Sequence, residues 1–171
     1  SQNKVSTNLG KSKADFKDIV PTIVKMPAIE SYYIRNKGYN INIKETWQKL
    51  QTWILTNDII SYKRIALFHD NPTITPLNEC QYIGCVMVED NQEVKSDRLP
   101  KFKIAEGVYA KFDLKGKTGD VLPFIHWVYH EWLPKNEYET TTKPSYAIYN
   151  KIDFLDESNE FDLSFYVSIN F

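Results

Sequence analysis

The strongest constraint on the fold is an order of segments that occurs twice: a strand-like run, an amphipathic helix and two further strand-like runs. In the first occurrence a strand at 29–35 precedes a helical segment at 42–58. Apolar residues recur along that segment at Ile43, Trp47, Leu50 and Ile54. This spacing is typical of an amphipathic helix. Asn42 and Glu45 stand three positions apart, which predicts a capping box at its first turn.

The remaining segments complete both occurrences. Two strand-like runs, "KRIALFHD" and "CQYIGCVMVED", follow the first helix, and a loop with two prolines separates them. In the second occurrence "KFKIAEGVYAKFDLKG" is predicted to be extended, and "GDVLPFIHWVYHEWL" is predicted to be a helix that Pro134 stops. The runs "SYAIYNKI" and "FDLSFYVSINF" are then predicted strands.

The repeated order predicts an α+β fold of two β-α-β-β halves, at about 21–95 and 96–171. One half alone is too small to bury its apolar face, so we expect the halves to pair about a pseudo-two-fold axis. Gly38 and Gly116 would then end equivalent strands. The product is an antiparallel sheet with two helices flanking a central ligand cleft. Residues 1–20 are lysine-rich and predict a flexible or helical N-terminal arm before a domain at 21–171.

Composition excludes several classes of protein. The 171 residues allow one domain, and a net charge of −1 does not favour direct binding of nucleic acid. No apolar run approaches the roughly 20 residues that cross a bilayer, and the N-terminus lacks the apolar centre of a signal peptide, so a cytoplasmic location is expected. Cys80 and Cys85 are expected to be reduced.

Six pieces of sequence together resemble a known family. They are "YIRNKGYN", the pair Trp47 and Trp53, "FHDNPTITPLNECQY", "EGVYAKFDLKG", "HEWLPKNEYE" and "YAIYN". In this order, from about Pro21 to Phe171, they resemble the effector-binding domain of AraC/XylS-type regulators and of GyrI-like proteins. The resemblance implies a duplicated strand-helix-strand-strand fold whose cleft binds hydrophobic compounds, often cationic drugs or dyes. It also implies that Glu131 is the buried carboxylate that meets the cation.

The residues around Glu131 agree with that implication. In a regular helix Phe124, Val128 and Glu131 fall on one stripe, with Trp127 beside it, so the carboxylate would share a face with rings. A desolvated carboxylate would have a raised pKa, and a lipophilic cation would offset that cost while ring faces attract it. The alternative is that Glu131 points outward beyond the end of the helix.

Other rings are candidates for the walls of the cleft, although rings in such positions are more often core than ligand wall. They are Tyr33, Phe68, Tyr109 and Tyr149. Trp53 and Trp132 are expected to anchor the two helices, and either could contact ligand.

The leading hypothesis is a non-catalytic module that binds hydrophobic small molecules, either free-standing or as the sensor half of a regulator. No cofactor, no metal site and no catalytic residue is predicted, and the arm could mediate homo-oligomers. One alternative is a GyrI-like hydrolase of strained alkylating natural products that uses Glu131 as acid or base. Another is protein partnering, as in gyrase inhibition. Weaker alternatives are a metal site at His126 and His130 with His69 and Asp70, and a nucleophilic Cys85.

Overall fold

The computed structural model of the protein describes residues 16–95, 98–151 and 160–170, which are organised around an antiparallel β-sheet. The strands are β1 (Thr22–Met26), β2 (Ile29–Lys37), β3 (Tyr62–Phe68), β4 (Gln81–Val88), β5 (Lys101–Ile104), β6 (Gly107–Lys117), β7 (Glu139–Thr140), β8 (Ser145–Lys151) and β9 (Glu160–Asn170). Their order across the sheet is β1-β6-β9-β8-β3-β4-β2-β5, and the short β7 pairs with β9. Strands β3 and β8 therefore lie side by side at the centre.

Two helical segments of the described chain pack on this sheet. Helix α1 spans Ile43–Thr56. The second segment begins with a 3₁₀ turn (Thr118–Asp120) and helix α2 (Val121–Trp127), widens into a π-helical turn (Val128–Trp132) and closes with α3 (Leu133–Lys135). We call residues 121–135 the second helix.

Helix α1 lies close to the sheet because strand β4 has a glycine beneath it. The helix buries one face, formed by Thr46, Trp47, Leu50, Trp53 and Ile54. A Cβ added at Gly84 would lie 2.8 Å from Cδ1 of Leu50 and 3.0 Å from Cγ2 of Thr46. A larger residue at Gly84 would therefore lift the helix off the strand.

Two details of the predicted helices are wrong. Asn42 makes no capping hydrogen bond through its side chain, because it takes a left-handed conformation with φ of 60°. Its carbonyl oxygen instead accepts hydrogen bonds from the backbone N–H and the hydroxyl of Thr46. Pro134 does not stop the second helix, which continues to Lys135. The preceding π turn breaks the regular i→i−4 ladder, so the missing N–H of a proline costs little there.

The two faces of the sheet carry separate apolar clusters. The larger cluster joins α1 and the second helix to one face, through residues such as Ala66, Phe68, Phe112 and Phe165. The smaller cluster lies on the opposite face and contains Ile65, Leu67, Tyr109, Tyr146 and Tyr166. Successive residues of β3 alternate between the clusters, as side chains of a strand must. Both faces of the central strands are thus buried.

The predicted α+β class, the antiparallel sheet and the two helices are confirmed, while the pseudo-two-fold relation of the halves stays a prediction. Gly38 follows the last residue of β2, whereas Gly116 lies inside β6. Residues 1–15 of the predicted arm lie outside the described residues. Phe16 is buried, and its ring centroid lies 5.4 Å from that of Phe124. No helix in the described part of the chain is long and apolar enough to span a membrane.

Candidate functional site

A cavity of about 370 Å³ opens between the N-terminal ends of α1 and α2, above the central strands. Four aromatic rings line it, those of Tyr39, Phe68, Tyr82 and Tyr149, and the helices contribute Ile43, Val121 and Leu122. We call this cavity the interhelical cleft. It lies between the first turns of the two helices, over rings that β3, β4 and β8 contribute.

The floor of the interhelical cleft follows from the register of β3 and β8. Ala66 pairs with Ala147, and this pair separates Phe68 at one end from Tyr149 at the other. Because alternate residues of a strand share a face, these side chains all point toward the helices. The two alanines are fully buried, and the rings of Phe68 and Tyr149 beside them line the cleft.

Tyr39 is held at one wall of the cleft by the loop at 69–80. Gly38 adopts φ of +106°, a conformation that favours glycine, and its N–H donates to the carbonyl of Cys80 at 2.7 Å. The Tyr39 hydroxyl donates to the carbonyl of Asp70 at 2.6 Å and accepts from the Asp70 N–H at 2.8 Å. The ring is therefore fixed from both ends.

Hydrogen bonds also position the rings on the floor. The indole Nε1–H of Trp47 donates to the Tyr82 hydroxyl oxygen at 2.8 Å, and Tyr82 in turn hydrogen-bonds Tyr149. The Phe68 ring meets the Tyr82 ring edge-on, with centroids 5.5 Å apart. These contacts preorganise a ring-lined surface before any ligand arrives.

The cleft carries no charge at its floor. Burial raises the pKa of Tyr39 and of Tyr82 far above the ordinary tyrosine value, so both hydroxyls stay neutral. No carboxylate is buried among the residues that the structure describes. Exposed Glu45 and Lys44 stand at the rim with opposite charges. Recognition in the cleft would thus depend on shape, apolar contact and tyrosine hydroxyls.

Glu131 and Trp127 lie elsewhere, in a cavity of about 510 Å³ between residues 19–23 and the far half of the second helix. We call this cavity the edge pocket, and Trp132 and Tyr138 also line it. The Glu131 side chain is 47% exposed, and its carboxylate lies 3.6 Å from Nζ of Lys135. The prediction of a buried carboxylate at Glu131 is therefore wrong.

The π turn explains that error. The inward stripe of Phe124 and Val128 continues at four-residue spacing to Trp132, and the wider winding of the π turn moves Glu131 further from that stripe. Trp132 is buried, and its ring packs edge-on against Phe112 at 5.0 Å. Glu131 consequently faces outward, as the alternative reading of the sequence had it.

The structure divides the seven predicted ligand residues among several places. Phe68 and Tyr149 line the interhelical cleft, while Glu131 and Trp127 line the edge pocket. Tyr33 and Tyr109 lie on the opposite face of the sheet. Trp53 lies on the buried face of α1, and its ring centroid is 4.9 Å from that of Tyr32. Contact of any of them with a ligand stays a prediction.

Sequence reasoning missed Tyr39 and Tyr82. Tyr82 pairs directly with Phe68 across β3 and β4, so the register of that hairpin would have placed both rings on one face. Tyr39 follows the glycine that turns the chain out of β2. No periodic pattern marks it, since its place depends on the loop at 69–80.

The weaker alternatives have the following geometry. His126 and His130 have ring centroids 5.3 Å apart, and burial and the neighbouring imidazole lower the pKa of His126. No group of three or more His, Cys, Asp or Glu side chains within the described residues could hold a metal ion. Cys80 and Cys85 are both free and buried. Burial raises the pKa of Cys85, which opposes formation of a nucleophilic thiolate.

Comparison with models of protein families identifies the family of the chain. Residues 20–169 match the model of the GyrI-like small molecule binding domain. The chain belongs to this family.

Curated relatives agree with that assignment. A DNA gyrase inhibitor of Citrobacter koseri is 24% identical over 129 residues, which cover 74% of this chain and 82% of the relative. A prophage-derived putative transcriptional regulator of Bacillus subtilis, YosT, is 28% identical over 127 residues, or 72% of this chain and 83% of the relative.

Solved structures share the fold. The C-terminal domain of EcmrR aligns with a TM-score of 0.66 at 14% identity, covering 90% of this chain and 98% of that domain. A hydrolase from Listeria innocua aligns with a TM-score of 0.60 at 10% identity over 91% of this chain and 95% of its own. SAV2435 bound to tetraphenylphosphonium aligns with a TM-score of 0.56 at 10% identity, over 88% and 93% respectively.

Proposed function

We propose that the interhelical cleft binds hydrophobic, ring-bearing small molecules without catalysing their conversion. The observation that carries the proposal is a cavity of about 370 Å³ with four aromatic rings, three of which make hydrogen bonds through their hydroxyls. Ligand pockets are commonly about 300–1,000 Å³, mostly apolar, with a few placed polar groups. The family's description as a small molecule binding domain supports the same conclusion.

We propose that the cleft accepts a positively charged ligand, but that the charge is not the main determinant of affinity. The structural relative SAV2435 was solved with tetraphenylphosphonium, a lipophilic cation. In this chain the carboxylate that the family resemblance assigned to the cation, Glu131, lines the edge pocket instead. The faces of Phe68, Tyr82 and Tyr149 still attract cations, at roughly 0.5–2 kcal/mol per good contact. We therefore expect only a small preference for a cation over a neutral molecule of equal shape.

The pseudo-two-fold relation of the two halves is part of the proposal. The central strand order β6-β9-β8-β3-β4-β2 has the same sequence of elements when each half is read outward from the middle. In addition, β1 pairs with β6 and β5 pairs with β2, so each half lends a short strand to the other. The cleft would then lie on the axis, at the β3–β8 pair.

The biological setting is proposed from the relatives. EcmrR has also been solved in a complex with DNA, and YosT is described as a regulator. A role as the small-molecule sensor of a transcriptional regulator follows if a DNA-binding segment accompanies this domain. Hydrolysis by Glu131 receives less support, because its carboxylate is exposed and paired with Lys135.

A titration with a neutral fluorescent dye, N-phenylnaphthylamine, tests the proposal. Its emission rises on transfer from water to an apolar pocket, so binding can be followed directly. Tyr149→Ala should weaken the dye about tenfold or more, since a lost ring contact of 1.4 kcal/mol is tenfold in affinity. Trp127→Ala, which removes a ring from the edge pocket, is the matched control and should change the affinity less than about twofold. Stronger weakening in Trp127→Ala than in Tyr149→Ala would place the site in the edge pocket and refute the proposal.

A further inference from the structure

A second cavity of about 350 Å³ adjoins the interhelical cleft, and the two share Tyr149 as a lining residue. Its other lining groups are mainly polar and include Ser61, Tyr62, Arg64 and Asn150. The cavity lies at the end of the β3–β8 floor opposite Phe68. A ligand in the cleft would therefore have this polar cavity at one end.

Arg64 is placed at the junction by strand register. It pairs with Tyr149 across β3 and β8, in the same helix-facing row as the alanine pair of the cleft floor. Directly paired side chains on one face have Cβ atoms about 5 Å apart. The Arg64 side chain consequently stands next to the ring that closes the cleft.

The guanidinium of Arg64 lacks an anionic partner. Its Nη2 donates to Gln51 Oε1 and, at 3.4 Å, to the Tyr62 hydroxyl, and the group lies over the Tyr62 ring at 5.2 Å. All these partners are neutral. Arg64 Nε is buried and has no hydrogen-bond partner. Among the described residues no Asp or Glu oxygen lies within 4 Å of the guanidinium.

The only acid lining the cavity within the described chain, Glu89, is already engaged. It accepts a hydrogen bond from the Ser61 hydroxyl at 3.1 Å, and its other oxygen lies 4.0 Å from Nζ of Lys63. Glu89 thus has its own cation, and the half-buried charge of Arg64 is left uncompensated. Burial of an unpaired charge is costly, and a planar guanidinium fork matches carboxylate, sulfonate and phosphate groups.

We infer that Arg64 forms an anion subsite, so that the preferred ligand is an amphipathic organic anion. Its aromatic body would lie in the interhelical cleft, and its carboxylate, sulfonate or phosphate group would reach past Tyr149 to Arg64. The inference rests on the proposed function, because the apolar body occupies the cleft. It assigns to this chain a charge preference opposite to the cation preference that the family resemblance implied.

Two dyes with the same aromatic body test the subsite: anilinonaphthalene sulfonate, an anion, and N-phenylnaphthylamine, which is neutral. Arg64→Gln should weaken the sulfonate about tenfold, as expected for loss of a charge-assisted hydrogen-bonded pair, and leave the neutral dye within about twofold. Arg35→Gln is the matched control. Arg35 is exposed, lies over the Tyr33 ring at 6.0 Å and carries the same charge. This control should change neither affinity.

The outcomes separate this inference from the proposed function. Equal loss of both dyes in Arg64→Gln, or an equal loss of the sulfonate in Arg35→Gln, would overturn the subsite. If Tyr149→Ala weakens binding of the neutral dye but Arg64→Gln does not weaken binding of the sulfonate, the proposed function is supported and the anion subsite is refuted. If the sulfonate depends on Arg64 while the neutral dye does not bind, Arg64 binds an anion without an apolar body in the cleft, which refutes both the proposed function and the amphipathic ligand. Should Arg64→Gln not fold, Arg64→Lys keeps the charge without the fork and should weaken the sulfonate alone.

Discussion

The interhelical cleft and the edge pocket both offer tryptophan or tyrosine rings beside a helix, yet they differ in how those rings are held. In the cleft, Tyr39 and Tyr82 are buried and fixed by hydrogen bonds at 2.6–2.8 Å. The edge pocket is larger, about 510 Å³ against 370 Å³, but Val20 on its rim is 83% exposed and Glu131 is paired with Lys135. Volume alone therefore does not identify a binding site, because preorganised walls cost less entropy on binding.

The largest expected difference between the two regions concerns stability. Trp47 is fully buried and anchors the floor of the cleft through Tyr82, so Trp47→Ala should cost about 3–5 kcal/mol of the free energy of unfolding. Trp127→Ala should cost about 1–2 kcal/mol, since that ring is only partly buried. Denaturant unfolding of both variants measures the contrast. Equal costs would mean that the edge pocket is as tightly built as the cleft.

A substitution that fills one of the two cavities should affect ligand binding only when that cavity is the cleft. Leu122→Trp adds volume inside the cleft and should weaken N-phenylnaphthylamine at least tenfold, because the added ring occupies the space of the dye. Val20→Trp adds the same side chain beside the edge pocket and should leave the affinity within about twofold. Fluorescence titration compares the two. The cleft is not the site if Val20→Trp has the larger effect.

Removal of one carboxylate from each region should change the affinity for a cation by a smaller factor. Glu45 stands at the rim of the cleft, so Glu45→Gln should weaken tetraphenylphosphonium about two- to threefold through lost attraction in a largely aqueous setting. Glu131→Gln should have no measurable effect, because its exposed carboxylate lies in the edge pocket. Displacement of the neutral dye by the cation provides the measurement. A larger loss in Glu131→Gln would restore that residue as the cation receptor.

The smallest predicted effect is a dependence of stability on pH at the second helix. Burial and His130 lower the pKa of His126 in the folded chain below the ordinary value of about 6.5. The unfolded chain therefore binds a proton first as pH falls, so stability decreases through about pH 6.5 and levels off below the folded pKa. Because His126 is partly exposed, we expect a fall in Tm of only about 2 °C. Calorimetry should find this component absent in His126→Gln.

Most helices and strands could be predicted from the sequence, because they depend on the local spacing of apolar residues. Helix α1 has its predicted apolar stripe, and β2 to β6, β8 and β9 lie on predicted strand-like runs, whereas β1 and β7 match no predicted run. The position of Glu131 was not readable, because a single π turn rotates everything after Val128 and no residue pattern marks it. The cleft was only half predicted. Phe68 and Tyr149 lie on adjacent central strands, but Tyr39 is brought in by a loop whose hydrogen bonds are not encoded in any periodicity.

Two-dimensional NMR of the tryptophan indole N–H groups can distinguish entry of a ligand into the cleft from entry into the edge pocket. The chain has four tryptophans. Trp47 donates its indole N–H to Tyr82 in the cleft, whereas Trp127 lines the edge pocket. Titration with N-phenylnaphthylamine should shift the Trp47 signal, assigned from Trp47→Phe, and leave the Trp127 signal in place. A shift of Trp127 with an unchanged Trp47 signal would contradict the account.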